Sequence, residues 1–225
     1  MLYMYAVVDG LPATWHPPPA VTPAAPVMRH QVGPLLVLGS TLDVVPPANP
    51  RTLALHHDVV ASAVDALAVL PFRYGTTVAD GDQDAWLRVH QAALATALAQ
   101  VRGCVEMSVK LLRLDSGEAH AGPGAGELRG LAQQLVDRAQ IEQWRYRPAG
   151  TAGNVVASVA FLLPRADLAE FLARIAPIAS RAVGVAVVPT GPWPAYSFVP
   201  AVDRPPLAVA PPPAPSPWSG HRAAG

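Results

Sequence analysis

The chain has 225 residues, 51% of them hydrophobic, which is enough to build a core and too many for a chain disordered throughout. Only 14% are charged, and 16 basic residues balance 16 acidic ones, so no net field recruits nucleic acid or an anionic membrane surface. The single cysteine, Cys104, excludes an internal disulfide and a multi-cysteine zinc site, fits a reducing cytosol, and reads as a small buried hydrophobe.

The apolar run Leu2 to Val8 is stopped by Asp9-Gly10 and has no basic segment before it, so it reads as a strand and not as a signal peptide. Residues 12–26 hold too many prolines for regular structure and form a loop. After Asn49-Pro50, the spacing of Leu53, His57, Val60, Val64 and Leu67 predicts an amphipathic helix that ends before Pro71. The short extended segment Val69 to Tyr74 follows and reads as an edge strand. Asp80-Gly81-Asp82 supplies N-cap chemistry to a second helix, with Leu87, Leu94, Leu98 and Val101 on one stripe. Then Val105, Met107, Val109 and Leu111 alternate with Glu106, Ser108 and Lys110, a period of two that predicts a strand with one dry and one wet face.

Beyond a glycine-rich stretch, Leu128, Leu131, Leu135 and Ala139 trace a helix leading to Trp144-Arg145-Tyr146-Arg147, whose arginines suit a helix C-terminus. Val155 to Leu163 is apolar on both faces and reads as a central strand. A helix follows with Leu168, Phe171, Leu172, Ile175 and Ile178 inward, kinked or ended by Pro177, and then a strand from Val183 to Val188. The expected fold is α+β, two small domains each with an antiparallel sheet carrying helices on one face. The expected boundaries are 1–115 for the N-terminal domain, 116–126 for a Gly-rich linker, 127–200 for a C-terminal domain with a leading helix, and 201–225 for a disordered Pro-rich tail. No stretch has the roughly 18 consecutive apolar residues of a membrane span.

Several of these segments, taken in order, resemble the gas vesicle protein L and gas vesicle protein F family. They are Leu2-Tyr3-Met4-Tyr5-Ala6-Val7-Val8, Leu55-His56-His57-Asp58-Val59-Val60, Val69-Leu70-Pro71-Phe72-Arg73-Tyr74-Gly75-Thr76 and Val105-Glu106-Met107-Ser108-Val109-Lys110. Ala160-Phe161-Leu162-Leu163-Pro164-Arg165 and the cassette Thr190-Gly191-Pro192-Trp193-Pro194-Ala195-Tyr196-Ser197-Phe198 complete the set, and the cassette is the most specific of them. The resemblance implies two α+β domains with ferredoxin-like elements and a role as an accessory or minor structural protein of gas vesicles, with the hydrophobic shell protein and other accessory proteins as partners. It implies a place in the cytoplasm, at the gas vesicle, and no reaction. The charged helical segment that family members carry between their domains is shorter here, from Gly126 through Gln140.

No catalytic, cofactor or metal residue is expected. His56, His57 and Asp58 are adjacent, and successive helical side chains point about 100° apart, so they cannot converge on one ion unaided. None of Ser40, Ser62, Ser108 and Ser158 has a nucleophile-elbow context, and the Gly122, Gly124, Gly126 pattern contains Pro123 and follows no strand. The residues expected to meet a partner are His56, Phe72, Arg73, Tyr74, Trp193 and Tyr196. In this reading His57 packs on the helix's inner stripe, His56 sits at its edge, Phe198 points inward, and Arg73 is either a partner contact or ion-paired to the helix after Asp82. Self-association is left open. The rivals are a scaffold contacting only other accessory proteins, and a His-dependent hydrolase or metal enzyme.

Overall fold

A computed structural model describes residues 1–114, 124–149 and 154–200; most of the expected linker and the whole of the expected tail lie outside the described residues. The described residues form two antiparallel sheets and four α-helices, an α+β fold.

The first sheet has the strand order β2-β3-β1-β4, with β5 also paired to β1. Its strands are β1 (Leu2–Asp9), β2 (Met28–Val32), β3 (Leu35–Thr41), β4 (Ala68–Pro71) and β5 (Thr77–Val78). β1 lies at the centre and is covered on both faces, which explains its unbroken apolar run. Leu2, Met4 and Val7 face α2 (Gln83–Val101), while Tyr3, Tyr5, Ala6 and Val8 face α1 (Pro50–Ser62) and the proline-rich loop. A register shift between Met4 and Ala6 puts the neighbours Tyr5 and Ala6 on the same side.

α1 starts where expected, and its start is well made. The Asn49 carboxamide oxygen accepts from the backbone N–H of Arg51 and of Thr52, both at 3.0 Å, and Thr52 Oγ1 accepts from the Asn49 N–H at 3.0 Å. Its buried arc differs from the expected one. His56, Val59, Val60 and Ala63 face the sheet, whereas Leu53 is 45% exposed and Leu67 lies beyond the helix, against Gly10. The arc is turned by one residue, because the buried Tyr3 hydroxyl and Phe72 carbonyl need a polar partner and His56 serves both. α2 buries Leu87, Leu94, Ala97, Leu98 and Val101 as its periodicity predicts. Asp82 makes no side-chain cap; Gln83 Oε1 instead accepts from the Gly81 N–H at 3.0 Å.

The second sheet has the order β7-β8-β6-β9, with β6 (Cys104–Arg113), β7 (Trp144–Pro148), β8 (Val155–Pro164) and β9 (Val185–Trp193). Adding α3 (Ala125–Ala139) and α4 (Leu168–Ala179) gives β6-α3-β7-β8-α4-β9, a ferredoxin-like split βαβ unit. Both helices pack on one face, where Met107, Val109, Leu111, Val159, Phe161 and Leu163 meet Leu128, Leu135, Phe171 and Ile175. This sheet begins at Cys104, ahead of the Gly-rich segment, so a strand that precedes that segment pairs with strands that follow it.

Three expectations for this half need correction. Trp144 to Arg147 is an edge strand and not a helix end, because it pairs with β8 from Trp144↔Phe161 to Pro148↔Ala157. The last strand starts at Val185, and it runs on through Pro189 and Pro192, which an outermost strand tolerates since a missing N–H there breaks no interior ladder. Glu106 is not on a wet face: it is 5% exposed, at the place where the second sheet meets the first half of the molecule.

Candidate binding surface

The cassette Thr190 to Phe198 crosses from the outer strand of the second sheet to the core of the first half. Its geometry starts at Gly191, at φ +128°, where a Cβ would lie 2.8 Å from Met107 Sδ and 2.9 Å from the Glu106 carbonyl oxygen, so only glycine fits. Thr190 Oγ1 donates to the Ser108 carbonyl at 3.0 Å, and Ala195, 2% exposed, enters the first-half core beside Leu162. A turn of 3₁₀ helix, Tyr196–Phe198, then closes the seam.

Glu106 holds that turn. One carboxyl oxygen accepts from the Ser197 N–H at 2.7 Å and the other from the Ser197 hydroxyl at 2.8 Å. Burial pushes its pKa above the ordinary carboxyl value, and the two Ser197 bonds and the Arg147 charge oppose that push. Phe198 packs against the first-half core and lies 5.2 Å beneath the Arg145 guanidinium.

The paired histidines sit opposite to expectation. His56 is 4% exposed, with Nδ1 2.7 Å from the Tyr3 hydroxyl and Nε2 3.0 Å from the Phe72 carbonyl oxygen. A carbonyl only accepts, so Nε2 carries a proton. Burial lowers the ring's pKa to about 4, so near neutral pH it is uncharged, and Nδ1, which then has no proton, accepts from Tyr3. His57 is the half-buried one: its ring lies 5.3 Å from that of Trp193 and 6.0 Å from that of Tyr196, and Nδ1 is 3.3 Å from the Tyr196 hydroxyl. Burial and the nearby Glu106 carboxyl raise the Tyr196 pKa.

Of the six residues expected to meet a partner, His56 and Phe72 are corrected to interior positions, Phe72 being 1% exposed. The edge-strand reading of Val69 to Tyr74 holds for β4, which ends its sheet, but the side chains of Ala68 to Pro71 are buried. Tyr74 is half-buried, its hydroxyl donating to the Pro46 carbonyl at 2.8 Å, and Arg73 is exposed on the turn beyond. Trp193 is 36% exposed and Tyr196 half-buried, and Tyr74 and Tyr196 both pack on the core cluster that contains Tyr3. Arg73, Tyr74, Trp193 and Tyr196 thus remain on the accessible side. Glu106, Ser197 and Arg145 were not singled out from sequence: Glu106 and Ser197 are 91 residues apart, and no local pattern links them.

Two open grooves flank this region. One, of about 540 Å³, runs between α2 and Ser197 to Pro200; the other, of about 370 Å³, lies between α3 and β7. Among the described residues no group of three His, Cys, Asp or Glu side chains is placed to hold a metal ion, and no helix is long and apolar enough to cross a membrane.

A protein with two antiparallel α+β layers, closed by an aromatic C-terminal cassette, is the class that this fold defines. Two solved structures share it. One is the gas vesicle protein GvpF from Anabaena sp. PCC7120, with a TM-score of 0.72 at 18% identity, covering 88% of this chain and 95% of that one. The other is GvpF from Microcystis aeruginosa, with a TM-score of 0.70 at 15% identity, covering 88% of this chain and 98% of that one. No curated protein sequence matches the chain. The family model described as gas vesicle synthesis protein GvpL/GvpF matches residues 1–140 and 116–200. The chain belongs to the GvpL/GvpF family, and its role is related to gas vesicles.

Proposed function

We propose that this protein is a noncatalytic accessory factor of gas vesicle assembly that binds the hydrophobic shell protein, together with other accessory proteins, in the cytoplasm and at the growing vesicle. Family membership over residues 1–200 is the observation that carries the reading. Trp193, at the surface against the His57 ring that also stacks on Tyr196, supports it, since a large aromatic with polar neighbours is what protein interfaces use as an anchor. The half-exposed Trp193 costs solubility where it stands, and a partner that covers it recovers the burial free energy.

The test is genetic and biochemical together. Deleting the gene in a vesicle-forming host should abolish buoyant vesicles, and unchanged vesicles in the absence of a paralogue reject the reading. Co-purification with the shell protein should be lost in the Trp193→Ala/Tyr196→Ala variant while its thermal melt stays cooperative. Retained co-purification with other accessory proteins alone identifies a scaffold. Vesicle formation that survives His57→Ala removes the remaining case for histidine chemistry.

A further inference from the structure

β7 is the outermost strand of the second sheet, and its outer edge is built from Trp144, Arg145, Tyr146, Arg147 and Pro148. The Gln143 carbonyl accepts from Leu162 N–H at 3.0 Å, and Ala149 N–H donates to the Val156 carbonyl at 3.1 Å, so the backbone of the odd-numbered residues turns toward β8. Main-chain groups alternate sides along a strand, hence those of Trp144 and Tyr146 point outward. The Arg145 guanidinium donates to the Trp144 carbonyl at 2.9 Å. The N–H groups of Trp144 and Tyr146 and the Tyr146 carbonyl have no main-chain partner among the described residues.

The side chains divide between two faces. Trp144 and Tyr146 lie on the helix side, beside the groove of about 370 Å³ lined by Arg129, Ala132 and Gln133. Arg145 and Arg147 lie on the opposite face, about 7 Å apart. Arg147 stands across Ser158 from Lys110, which pairs with that same serine from the other side. The nearest carboxyl on this face, Glu106, is buried and held by Ser197. Glu142 precedes the strand, and Asp137 of α3 is bonded to Gln133 at 2.8 Å. The edge therefore offers main-chain donors beside a row of cations that has no exposed carboxylate among them.

From this placement we infer that the outer edge of β7 takes up an extended, acidic segment of a partner protein as a fifth strand of the sheet. Carboxylates at alternate positions of that segment face Arg145 and Arg147, and its intervening apolar side chains enter the groove beside Tyr146. A second copy of β7 is the wrong occupant, because antiparallel self-pairing sets arginine against arginine. The edge adjoins the cassette through Arg145, which rests on the Phe198 ring, but it includes neither Trp193 nor Tyr196, so it stands whether or not the shell protein is the partner there.

The probe is a fluorescent peptide alternating Glu and Val, titrated into the full chain and followed by anisotropy, with a Lys and Val peptide as its mirror. Binding to the Glu peptide should fall at least about tenfold in Arg145→Glu/Arg147→Glu, which should in turn bind the Lys peptide, while Arg181→Glu changes neither. Tyr146→Pro, which removes an outward N–H that β8 does not use, should lose binding that Tyr146→Ala keeps. Because Tyr146→Pro could fold poorly, the wild-type protein is also titrated with a Glu peptide N-methylated at alternate residues. Equal affinity for that peptide reduces the contact to charge attraction and overturns the proposal. So does charge reversal without effect, or a wild-type dimer that Arg145→Glu/Arg147→Glu dissolves.

Discussion

The two sheets are covered differently. β1 of the first is sealed on both faces, by α2 on one and by α1 with the proline-rich loop on the other, whereas the second has helices on one face and meets the first half through Glu106, Leu162 and the cassette residues Trp193, Ala195, Tyr196 and Phe198. A doubly covered sheet can satisfy its buried polar groups only from within. Tyr3, His56 and the Phe72 carbonyl do this in one chain, and Tyr5, Ser40, Val21 N–H and the Pro26 carbonyl in another, which ties the proline-rich loop down. A singly covered sheet keeps a polar face and an open edge, and the β-strand addition proposed above uses that edge.

If one helix layer suffices for the second sheet, its core residues should matter as much as those of the first. Phe161, 5.1 Å from Phe171, should then cost about 3–5 kcal/mol when changed to Ala, against about 2–5 for Leu70→Ala, as read by chemical denaturation. A Phe161→Ala cost below 1 kcal/mol would break the comparison.

Acid should separate the two regions by sign. The folded His56 pKa is about 4 against an ordinary 6.5, so the folded state holds fewer protons, and the stability it contributes above pH 6.5 is lost as pH falls through 4. The loss is about 3 kcal/mol, and it should be absent from His56→Gln. Glu106 runs the other way: its pKa is raised in the folded state, so its contribution is full below the ordinary carboxyl range and declines as pH rises above it. Glu106→Gln should remove that decline in a urea series across pH. Glu106→Ala, which strands the Ser197 N–H, should cost about 1–3 kcal/mol at any pH. The smallest effect belongs to the first half, where Asn49→Ala removes the α1 cap for about 1 kcal/mol, measurable as a modest fall in Tm.

Periodicity served well where packing alone decides burial. The α2 stripe, the central position of β8 and the inward faces of α3 and α4 follow from apolar spacing. It served poorly where a polar group decides. Leu53 and His57 fit a helical stripe, but the two buried acceptor and donor sites on β1 and after β4 draw His56 inward, and one residue of helix is a rotation of about 100°. Alternation placed Glu106 in water because its partner, Ser197, is distant in the chain. The arginines of β7 suited a helix C-terminus and equally suit an exposed edge. The hairpin of β2 and β3 turns at Gly33 with φ +56°, a signal present in Gly33-Pro34 but masked by the proline-rich stretch before it.

The strand order of the second sheet also bears on how the chain could be divided. β6 sits between β8 and β9, yet it is joined in sequence to α2 and the first half. A protease cut between Leu114 and Gly124 would leave one of the two inner strands of one sheet on the fragment that carries the whole of the other. Neither piece would then be self-sufficient: the C-terminal fragment would lack the strand that joins its β8 to its β9, and the N-terminal one would expose Val105, Met107, Val109 and Leu111. A molecule nicked there would be held together across β6 by its ladders to β8 and β9, with no covalent bond between the pieces.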